Sequence, residues 1–188
     1  MILKGKFVKL RPIKTLDASI TLKWRLSDRA KFMQSGSKTV EEQENWIRNA
    51  IDRKNEITFI IEYNDTPVGM FAICNINLVY RNCSMERLLI GEKELVGNMP
   101  VAFESELLLC DYIFNELKMH KVTGDIMEDN KDMIRFRKYL GYSFDGILRD
   151  EYIINGQFKS THLVSALHQE YVNKCRPRLL GLIKLSQA

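Results

Sequence analysis

Two hydrophobic periodicities alternate along this chain, and their order limits its fold more than any single motif does. Alternating or β-branched runs predict strands at 6–13, 58–63, 68–76, 85–91, 121–127, 142–148 and 158–167. Apolar residues at helical spacing predict helices at 16–33, 39–51, 100–118 and 130–140. Strands and helices in this order predict an α/β fold, with a mixed open sheet of seven strands and helices on both faces.

Local signals support several of these boundaries. Thr39 followed by Glu42 forms a capping box, which satisfies free backbone donors at a helix start. The apolar spacing that follows predicts that Trp46 faces the core. Asn64-Asp65 is a turn signal between two β-branched runs, so those two strands are predicted to form a hairpin.

The chain of 188 residues suits a single domain, and its charge distribution sets one segment apart. The net charge is +4, and the segment 174–188 supplies all of it without an acidic residue. The remainder is near neutral, unlike the basic stripe of a nucleic-acid-binding protein. We therefore predict a domain over 1–170, a basic tail over 171–188 and no nucleic-acid partner.

The cysteines and the apolar runs indicate the compartment. Cys74, Cys83, Cys110 and Cys175 form no CxxC pair and do not cluster with histidine. This pattern predicts reduced, mostly buried thiols and no metal site. No run reaches the ~20 apolar residues of a membrane span, and charges interrupt the first residues, which is unlike a secretory signal. The expected location is the cytoplasm, without a membrane partner.

The segment 93–102, between a predicted strand and a predicted helix, is the best place for chemistry. Ligands of open α/β sheets bind beyond the carboxyl ends of strands, where helices begin. A helix start presents unpaired N–H groups and the positive end of the helix dipole, which favours phosphate. Gly97 and Asn98 tolerate positive φ angles that let a loop wrap an anion. Taken alone, the same pattern also suits a loop that only starts a helix.

Several short motifs in one order resemble the Gcn5-related N-acetyltransferase (GNAT) superfamily. They are VKLRPI at 8–13, GNMPVA at 97–102, YIFNEL at 112–117, HKV at 120–122, MEDN at 127–130, KYLGY at 138–142, DGILRD at 145–150 and GQF at 156–158. The resemblance implies a single GNAT-like domain with a mostly antiparallel sheet. It also implies acetyl-CoA as co-substrate, no metal, and transfer of the acetyl group to an amine.

The same resemblance implies roles along the acetyl-CoA path. Backbone N–H groups at Ile90 and Gly91 would polarise the thioester carbonyl. Asn130 would contact pantetheine or a water, a role compatible with capping a helix. Arg137 stands where many members carry a tyrosine acid, so it could stabilise the thiolate, bind a CoA phosphate, or lie on the surface. Pro100 removes one N–H from the loop that would hold the pyrophosphate, whose members are Val96, Gly97, Asn98, Met99, Val101 and Ala102.

Acceptor-side candidates come from charge and from the resemblance together. A base must reach the amine, directly or through water, and Glu86 is the first choice, followed by Glu92 and His162. Each could instead be an ordinary surface carboxylate or strand-face histidine. Arg25 and Met33 match positions that resemble a nucleotide-sugar pocket, although Arg25 could equally cover apolar surface on a helix.

The motif at 23–33 and the helix start at 37–47 resemble N-acetyltransferases that act on amino-sugar nucleotides, including enzymes of the pseudaminic-acid pathway. The predicted function is therefore acetylation of a nucleotide-linked amino-deoxy sugar for cell-surface glycans, by direct attack on the thioester. Ribosomal-protein N-terminal acetyltransferases, which share LRP, LGY and GILRD, are the alternative. A non-catalytic acyl-CoA-binding protein is a third reading, because Pro100 and Arg137 depart from the pattern. The sequence leaves a homodimer open.

Overall fold

One sheet organises the molecule. The computed structural model describes residues 1–33, 36–154 and 156–186, and within these ranges the sheet has eight strands. They are β1 Leu3–Lys4, β2 Val8–Pro12, β3 Ile57–Tyr63, β4 Thr66–Asn77, β5 Asn82–Ile90, β6 Lys121–Met127, β7 Ser143–Ile154 and β8 Gln157–Leu167. The order is β1-β2-β3-β4-β5-β6-β8-β7.

Neighbouring strands are antiparallel except for the parallel pair β5 and β6. The mixed, mostly antiparallel α/β sheet predicted from the sequence is therefore confirmed. The strand missing from the prediction is β1, which pairs with β2 through Leu3 and Lys4. Two residues are too few to give a periodic signal.

Seven helices pack around the sheet in the described ranges. They are α1 Ala18–Arg25, α2 Val40–Asp52, α3 Lys93–Val96, α4 Val101–Asp111, α5 Lys131–Leu140, α6 His168–Glu170 and α7 Arg176–Leu185. The predicted helix over 16–33 is too long, because α1 ends at Arg25 and only a short 3-10 turn follows. Leu16, the first residue of the predicted helix, is 90% exposed.

Different helices cover the two faces of the sheet. Along β4, the side chain of Met70 enters one core and that of Phe71 the other, as side chains alternate on a strand. The Met70 side carries α1 and α2, with Trp24 and Ile47 buried beneath them. The Phe71 side carries α4, α5 and α7 and holds the larger core, including Leu179. We call these the α1–α2 face and the α4–α5 face.

Two local predictions are confirmed in detail. The hydroxyl of Thr39 accepts from the N–H of Glu42 at 3.2 Å, and the Glu42 carboxylate accepts from the N–H of Thr39 at 3.3 Å. Asn64 and Asp65 both adopt positive φ, 50° and 58°, in the turn of the β3–β4 hairpin. Turns of this kind match the right-handed twist of the strands they join.

The C-terminal segment is part of the folded body. A π-helical turn at Tyr171–Cys175 leads into α7, and Tyr171, Cys175 and Leu179 are each at most 1% exposed. The Tyr171 hydroxyl donates to the carboxylate of Asp111 at 2.9 Å, and the Arg176 guanidinium pairs with the same carboxylate. The residues that suggested a basic tail thus belong to a helix whose apolar side packs on α4.

All four cysteines are free and buried, as expected for reduced thiols. Across residues 1–33, 36–154 and 156–186, no helix is long and apolar enough to cross a membrane. The same residues contain no group of three or more His, Cys, Asp or Glu side chains placed to hold a metal ion.

Candidate active site

The strands β5 and β6 separate after a short parallel contact, and this separation opens the sheet. They pair along Asn82–Ser84 and Lys121–Thr123. Beyond that contact β5 continues along β4 and β6 continues along β8. Gly124, the first residue of β6 past the contact, adds no side chain to the gap. The facing edges of diverging strands expose backbone N–H and C=O groups that a ligand can use.

A cavity of about 440 Å³ passes through the sheet at this gap. Residues 85–88 of β5 and 124–127 of β6 line it at the gap between the two strands. Arg25 and Trp46 line it from the α1–α2 face, and Arg137 lines it from α5 on the other face. Because these helices lie on opposite faces, one ligand can enter from each side and the two can meet in the sheet.

A β-bulge turns the backbone of β5 where this strand lines the cavity. One residue of β4, Phe71, lies opposite two residues of β5, Arg87 and Leu88. Arg87 has a φ of 60°, a left-handed conformation that residues other than glycine seldom adopt. A bulge interrupts the ladder and re-aims nearby groups, and bulges are common beside active sites. The bulge is therefore the best position for backbone donors to a thioester carbonyl.

Ile90 and Gly91, the predicted oxyanion residues, do not form the cavity wall. Ile90 is paired with Gly69, and the N–H of Gly91 donates to the carbonyl of Val68 at 2.9 Å. A Cβ at position 91 would lie 2.1 Å from the ring of Trp24. Gly91 is thus needed for the close packing of α1 on the end of β5. No pattern in the sequence indicates the bulge, because a bulge leaves no periodic signal.

Glu92 and His162 also lie outside the cavity wall. The Glu92 carboxylate accepts from Nζ of Lys23 at 2.7 Å and from Nε1 of Trp24 at 2.8 Å, which ties α1 to β5. The ring of His162 meets Phe144 edge-on, with centroids 5.6 Å apart. Both residues therefore have structural partners, and neither is brought together with Glu86.

Glu86, the predicted base, does lie in the cavity wall. It is paired with Ala72 of β4, which lies two residues after Met70 and therefore points to the same side of the sheet. The Glu86 side chain thus faces α1 and α2. Its Oε1 accepts from the hydroxyl of Ser84 at 2.7 Å, which fixes the carboxylate. Its Oε2 lies 3.8 Å from Nη2 of Arg87. The predicted substrate-side residues Arg25 and Met33 line the same cavity, as does Phe32.

A second carboxylate lies on the other edge of the gap. Asp125 of β6 lines the cavity and accepts from the hydroxyl of Tyr152 at 2.8 Å. Tyr152 belongs to β7, so its side chain crosses β8 to reach this carboxylate. Glu86 and Asp125 therefore line one cavity from two diverging strands, and paired carboxylates of this kind attract an ammonium group.

Two arginines share the ring of Trp46 on the α1–α2 face. The guanidinium of Arg87 lies 5.3 Å and that of Arg25 5.8 Å from the ring centroid. Arg87 also donates to the buried carboxylate of Glu56, which Arg53 approaches to 2.8 Å. Burial lowers the pKa of Arg25, and the nearby charge of Arg87 lowers it further. Charges of both signs therefore lie close together here.

On the α4–α5 face, Arg137 has a different environment. It is 6% exposed and forms a buried ion pair with Glu106, with the ring of Tyr142 4.7 Å from the guanidinium carbon. Burial lowers the pKa of Arg137, but Glu106 raises it, and the net value is above that of an ordinary arginine. The surface position considered for Arg137 is wrong. The raised pKa keeps the guanidinium protonated, and the Glu106 carboxylate balances its charge.

The loop between α3 and α4 holds itself together through three of its own amides. The N–H groups of Gly97, Met99 and Val101 donate to the carbonyls of Lys93, Val96 and Met99. The side chains of Val96 and Val101 are in the core, so these two residues could meet a ligand only through their backbones. Among the described residues, the N–H groups of Asn98, Ala102 and Phe103 have no backbone acceptor. They are the amides this segment can offer to an anion.

These groups fit acetyl-CoA as the donor substrate. The first turn of α4 contacts α5 through Phe103 and Phe136, whose ring centroids are 5.4 Å apart. The free amides of α4 thus lie beside the helix that lines the cavity from this face. Asn130 lines the cavity too, while its Oδ1 caps α5 by accepting from the N–H of Met133 at 3.2 Å. The capping role predicted for Asn130 is confirmed.

Sequence reasoning missed several residues of the wall. Arg87 depends on a bulge. Trp46, expected in the core, packs half-buried against it and also lines the cavity. Gln43 is fully buried and lines the cavity from α2. Asp125 could have been found, because it is the one carboxylate of β6, and a carboxylate is an unusual choice for a central strand.

A sheet opened between two parallel strands, with a donor side and an acceptor side, defines a group-transfer enzyme. The chain belongs to the acetyltransferase (GNAT) domain family, whose model matches residues 8–143. It is an acetyl-CoA-dependent N-acetyltransferase, and the superfamily predicted from sequence is confirmed.

Named relatives and solved structures agree with this assignment. Spermidine N(1)-acetyltransferase of Escherichia coli (strain K12) is 24% identical over 169 residues, which cover 88% of each chain. Spermidine N-acetyltransferase from Vibrio cholerae, solved in complex with CoA and spermine, has a TM-score of 0.78 at 20% identity, covering 90% of this chain and 100% of that one. A GCN5-related N-acetyltransferase from Brucella melitensis has a TM-score of 0.77 at 19% identity, covering 100% and 84%. The two structures share the fold.

Proposed function

We propose that this chain acetylates the primary amine of a small molecule by direct attack of that amine on the thioester of acetyl-CoA. The observation that carries the proposal is the cavity that crosses the sheet, with carboxylates on its acceptor side and free helix amides near its donor side. A cavity with aromatic and charged walls favours a small acceptor over a peptide N-terminus, which would need an extended cleft.

On the donor side, the amides of Ala102 and Phe103 would bind the pyrophosphate of acetyl-CoA, with help from the dipole of α4. The pantetheine arm would follow the gap between β5 and β6 past Asn130. The thioester carbonyl would then meet the backbone at Arg87 and Leu88. Backbone donors held at a bulge are already oriented, so they stabilise a developing oxyanion without reorganisation.

On the acceptor side, Glu86 would take a proton from the ammonium group and leave a neutral amine. The nitrogen lone pair attacks the carbonyl carbon, a C–N bond forms, and the C–S bond breaks as the oxyanion collapses. The second amine proton goes to the departing thiolate. A free thiol has a pKa near ~8.5, so the thiolate can leave without a dedicated acid. A dedicated acid is therefore not required at position 137, where many members of the superfamily carry a tyrosine.

Two acceptor classes have specific support. The motifs at 23–33 and 37–47 favour a nucleotide-linked amino-deoxy sugar, and Arg25 and Met33 of those motifs line the cavity. The named relatives favour a polyamine such as spermidine, and the two carboxylates Glu86 and Asp125 suit a cation.

The direct test is to incubate the purified chain with acetyl-CoA and a panel of amino-sugar nucleotides, polyamines and N-terminal peptides. Release of CoA thiol and the mass of each product would be measured. We expect a mass gain of one acetyl group on a small amine. Tight CoA binding without thiol release from any amine would instead support the non-catalytic reading, and a mass gain on peptides alone would overturn the acceptor class.

The role of Glu86 makes a separate prediction. Glu86→Gln keeps the shape and the hydrogen bond from Ser84 but cannot accept a proton. We expect kcat/KM to fall by about 100-fold to 10,000-fold near neutral pH, with partial recovery at high pH where the free amine is abundant. Glu94→Gln is the control, because Glu94 is an exposed carboxylate of α3 outside the cavity wall. A flat pH profile with normal activity for Glu86→Gln would remove Glu86 from the mechanism.

A further inference from the structure

We propose that Glu104, a buried carboxylate in the first turn of α4, is a positioning residue for CoA. It holds the start of this helix on the turn between β1 and β2, so that the amides of Ala102 and Phe103 stay where the pyrophosphate would bind. This inference rests on the proposed function, which assigns those two amides to the donor substrate. Glu104 acts on CoA through the helix and not by contact.

The Glu104 carboxylate is bound by three consecutive backbone N–H groups. Its Oε1 accepts from the N–H of Lys6 at 2.8 Å, and its Oε2 accepts from those of Phe7 and Val8, each at 2.8 Å. Glu104 is only 5% exposed, so these donors replace the water that a carboxylate would otherwise require. Hydrogen bonds to a carboxylate are roughly twice as strong as those between neutral groups. The contact therefore joins α4 firmly to a segment far away in sequence.

Gly5 indicates that the turn is shaped around this carboxylate. A Cβ at position 5 would lie 2.6 Å from Cδ of Glu104, closer than real Cβ atoms approach other atoms. The N–H of Gly5 closes the turn by donating to the carbonyl of Val8 at 2.8 Å. A side chain at position 5 would therefore displace either the turn or the carboxylate. Gly5 is thus a second position from which the same contact can be disturbed.

Glu104 follows directly after the two amides assigned to the pyrophosphate, Ala102 and Phe103. Its own N–H is already used, because it donates to the carbonyl of Pro100 at 2.9 Å. The side chain of Val101, which is 1% exposed, holds the same turn on the core. Apolar burial has no direction, so it keeps the helix on the sheet without fixing its rotation or its position along its axis. Three hydrogen bonds of defined length and angle do fix them.

The direction of the carboxylate matters for a second reason. A carboxylate near a pyrophosphate repels it, and one that is free in the first turn of a helix interacts with the same end of the helix dipole. The Glu104 carboxylate is instead bound by residues 6–8, which lie outside the cavity wall. The start of α4 therefore remains available to an anionic ligand, and releasing Glu104 from the turn would return negative charge to it.

The first measurement is the binding of CoA, without an acceptor, by isothermal titration calorimetry. Glu104→Gln keeps an oxygen for the N–H groups of Phe7 and Val8, but it sets an NH2 group against the N–H of Lys6, so one of three bonds is lost. We expect Kd for CoA to rise about tenfold, roughly the value of one charge-assisted hydrogen bond. Gly5→Ala, which leaves Glu104 itself unchanged, should raise Kd in the same direction, and it provides the test if Glu104→Gln does not fold.

Asp111→Asn is the matched control at the other end of α4. The Asp111 carboxylate accepts from the hydroxyl of Tyr171 at 2.9 Å and pairs with Arg176, so this variant also weakens a contact between α4 and a distant segment. It should lower the unfolding midpoint but leave Kd for CoA within about twofold of the wild type. If Asp111→Asn weakened CoA binding as much as Glu104→Gln, general loosening of the helix would explain both results and the inference would be overturned.

A truncated donor assigns the effect to the pyrophosphate. S-acetylpantetheine carries the thioester but lacks the pyrophosphate, whereas acetyl-CoA has both. With the acceptor that gains most mass in the panel, Glu104→Gln should raise KM for acetyl-CoA about tenfold and leave kcat nearly unchanged. Its kcat/KM for S-acetylpantetheine should stay within about twofold of the wild type. Equal losses with the two donors would show that Glu104 does not act through the pyrophosphate.

The binding measurement separates this inference from acetyl transfer. If Kd for CoA rose in Glu104→Gln and Gly5→Ala while no amine was acetylated, the positioning role would stand and the proposed function would fail. The opposite result is also defined. If the wild type acetylated a small amine while both variants were folded, by their unfolding midpoints, and bound CoA as tightly as the wild type, the positioning role would fail and the proposed function would stand.

Discussion

The cavity is bordered by arginines on both faces of the sheet, and the two faces treat them differently. On the α4–α5 face, Arg137 is paired with Glu106, whose side chain is 0% exposed, and aromatic rings flank it. On the α1–α2 face, Arg25 and Arg87 both lie beside the ring of Trp46, and Arg87 shares the buried carboxylate of Glu56 with Arg53. A guanidinium beside a cavity is therefore not in itself a ligand site.

The difference lies in how each charge is compensated. A buried arginine with its own buried carboxylate is part of the structural core, since separating the pair would leave a charge without solvent. Arg87, by contrast, lies in the wall of the cavity and interacts with two carboxylates, those of Glu56 and Glu86. The predictions below test this contrast, beginning with the largest effect.

Breaking the neutralised pair should have the largest effect. Arg137→Met would leave the Glu106 carboxylate buried without its partner. We expect the free energy of unfolding to fall by about 3–5 kcal/mol, measured by urea denaturation. The double variant Arg137→Met with Glu106→Leu removes both charges and should recover most of that loss. A single variant as stable as the wild type would contradict the structural role of Arg137 and return it to the list of site residues.

The buried thiols of the α4–α5 face provide a second test. Burial raises the pKa of Cys175 to about 11 from an ordinary value near 9, which lowers its thiolate fraction about 100-fold at pH 8. Burial also raises the pKa of Cys110, which is 1% exposed. Alkylation with iodoacetamide at pH 8 should therefore be at least about 100-fold slower in the native protein than in guanidinium chloride. Fast labelling of Cys175 in the native protein would mean that α7 separates from the core, as expected of a tail that is not packed on the domain.

On the α1–α2 face, a helix cap stabilises the start of α2, and its contribution is expected to be smaller. Thr39→Ala removes the capping hydroxyl of the helix that carries Gln43 and Trp46. We expect a loss of about 1 kcal/mol in the free energy of unfolding, measured by urea denaturation. Asn49→Ala, at an exposed position of the same helix, is the control and should cause no loss. If the two variants were equally stable, the cap would contribute nothing to this face.

Much of the fold could be predicted because it depends on local patterns. The strand and helix order, the Thr39 cap and the Asn64-Asp65 turn are all consequences of side-chain spacing and backbone preference within a few residues. The site was predicted less well. Glu86, Arg25 and Met33 do line the cavity, but Ile90 and Gly91 do not, because their backbone groups pair with β4.

The sequence by itself determined the class of this protein: an α/β acetyltransferase domain of the GNAT family, with an acidic residue in a central strand as the base candidate. Only the tertiary structure decided which charged side chains are paired with a buried carboxylate. Whether an arginine is neutralised depends on a carboxylate far away in sequence, such as Glu106 for Arg137 or Glu56 for Arg87. Coulombic energy depends on distance in space and on burial, and neither quantity can be read from spacing along the chain.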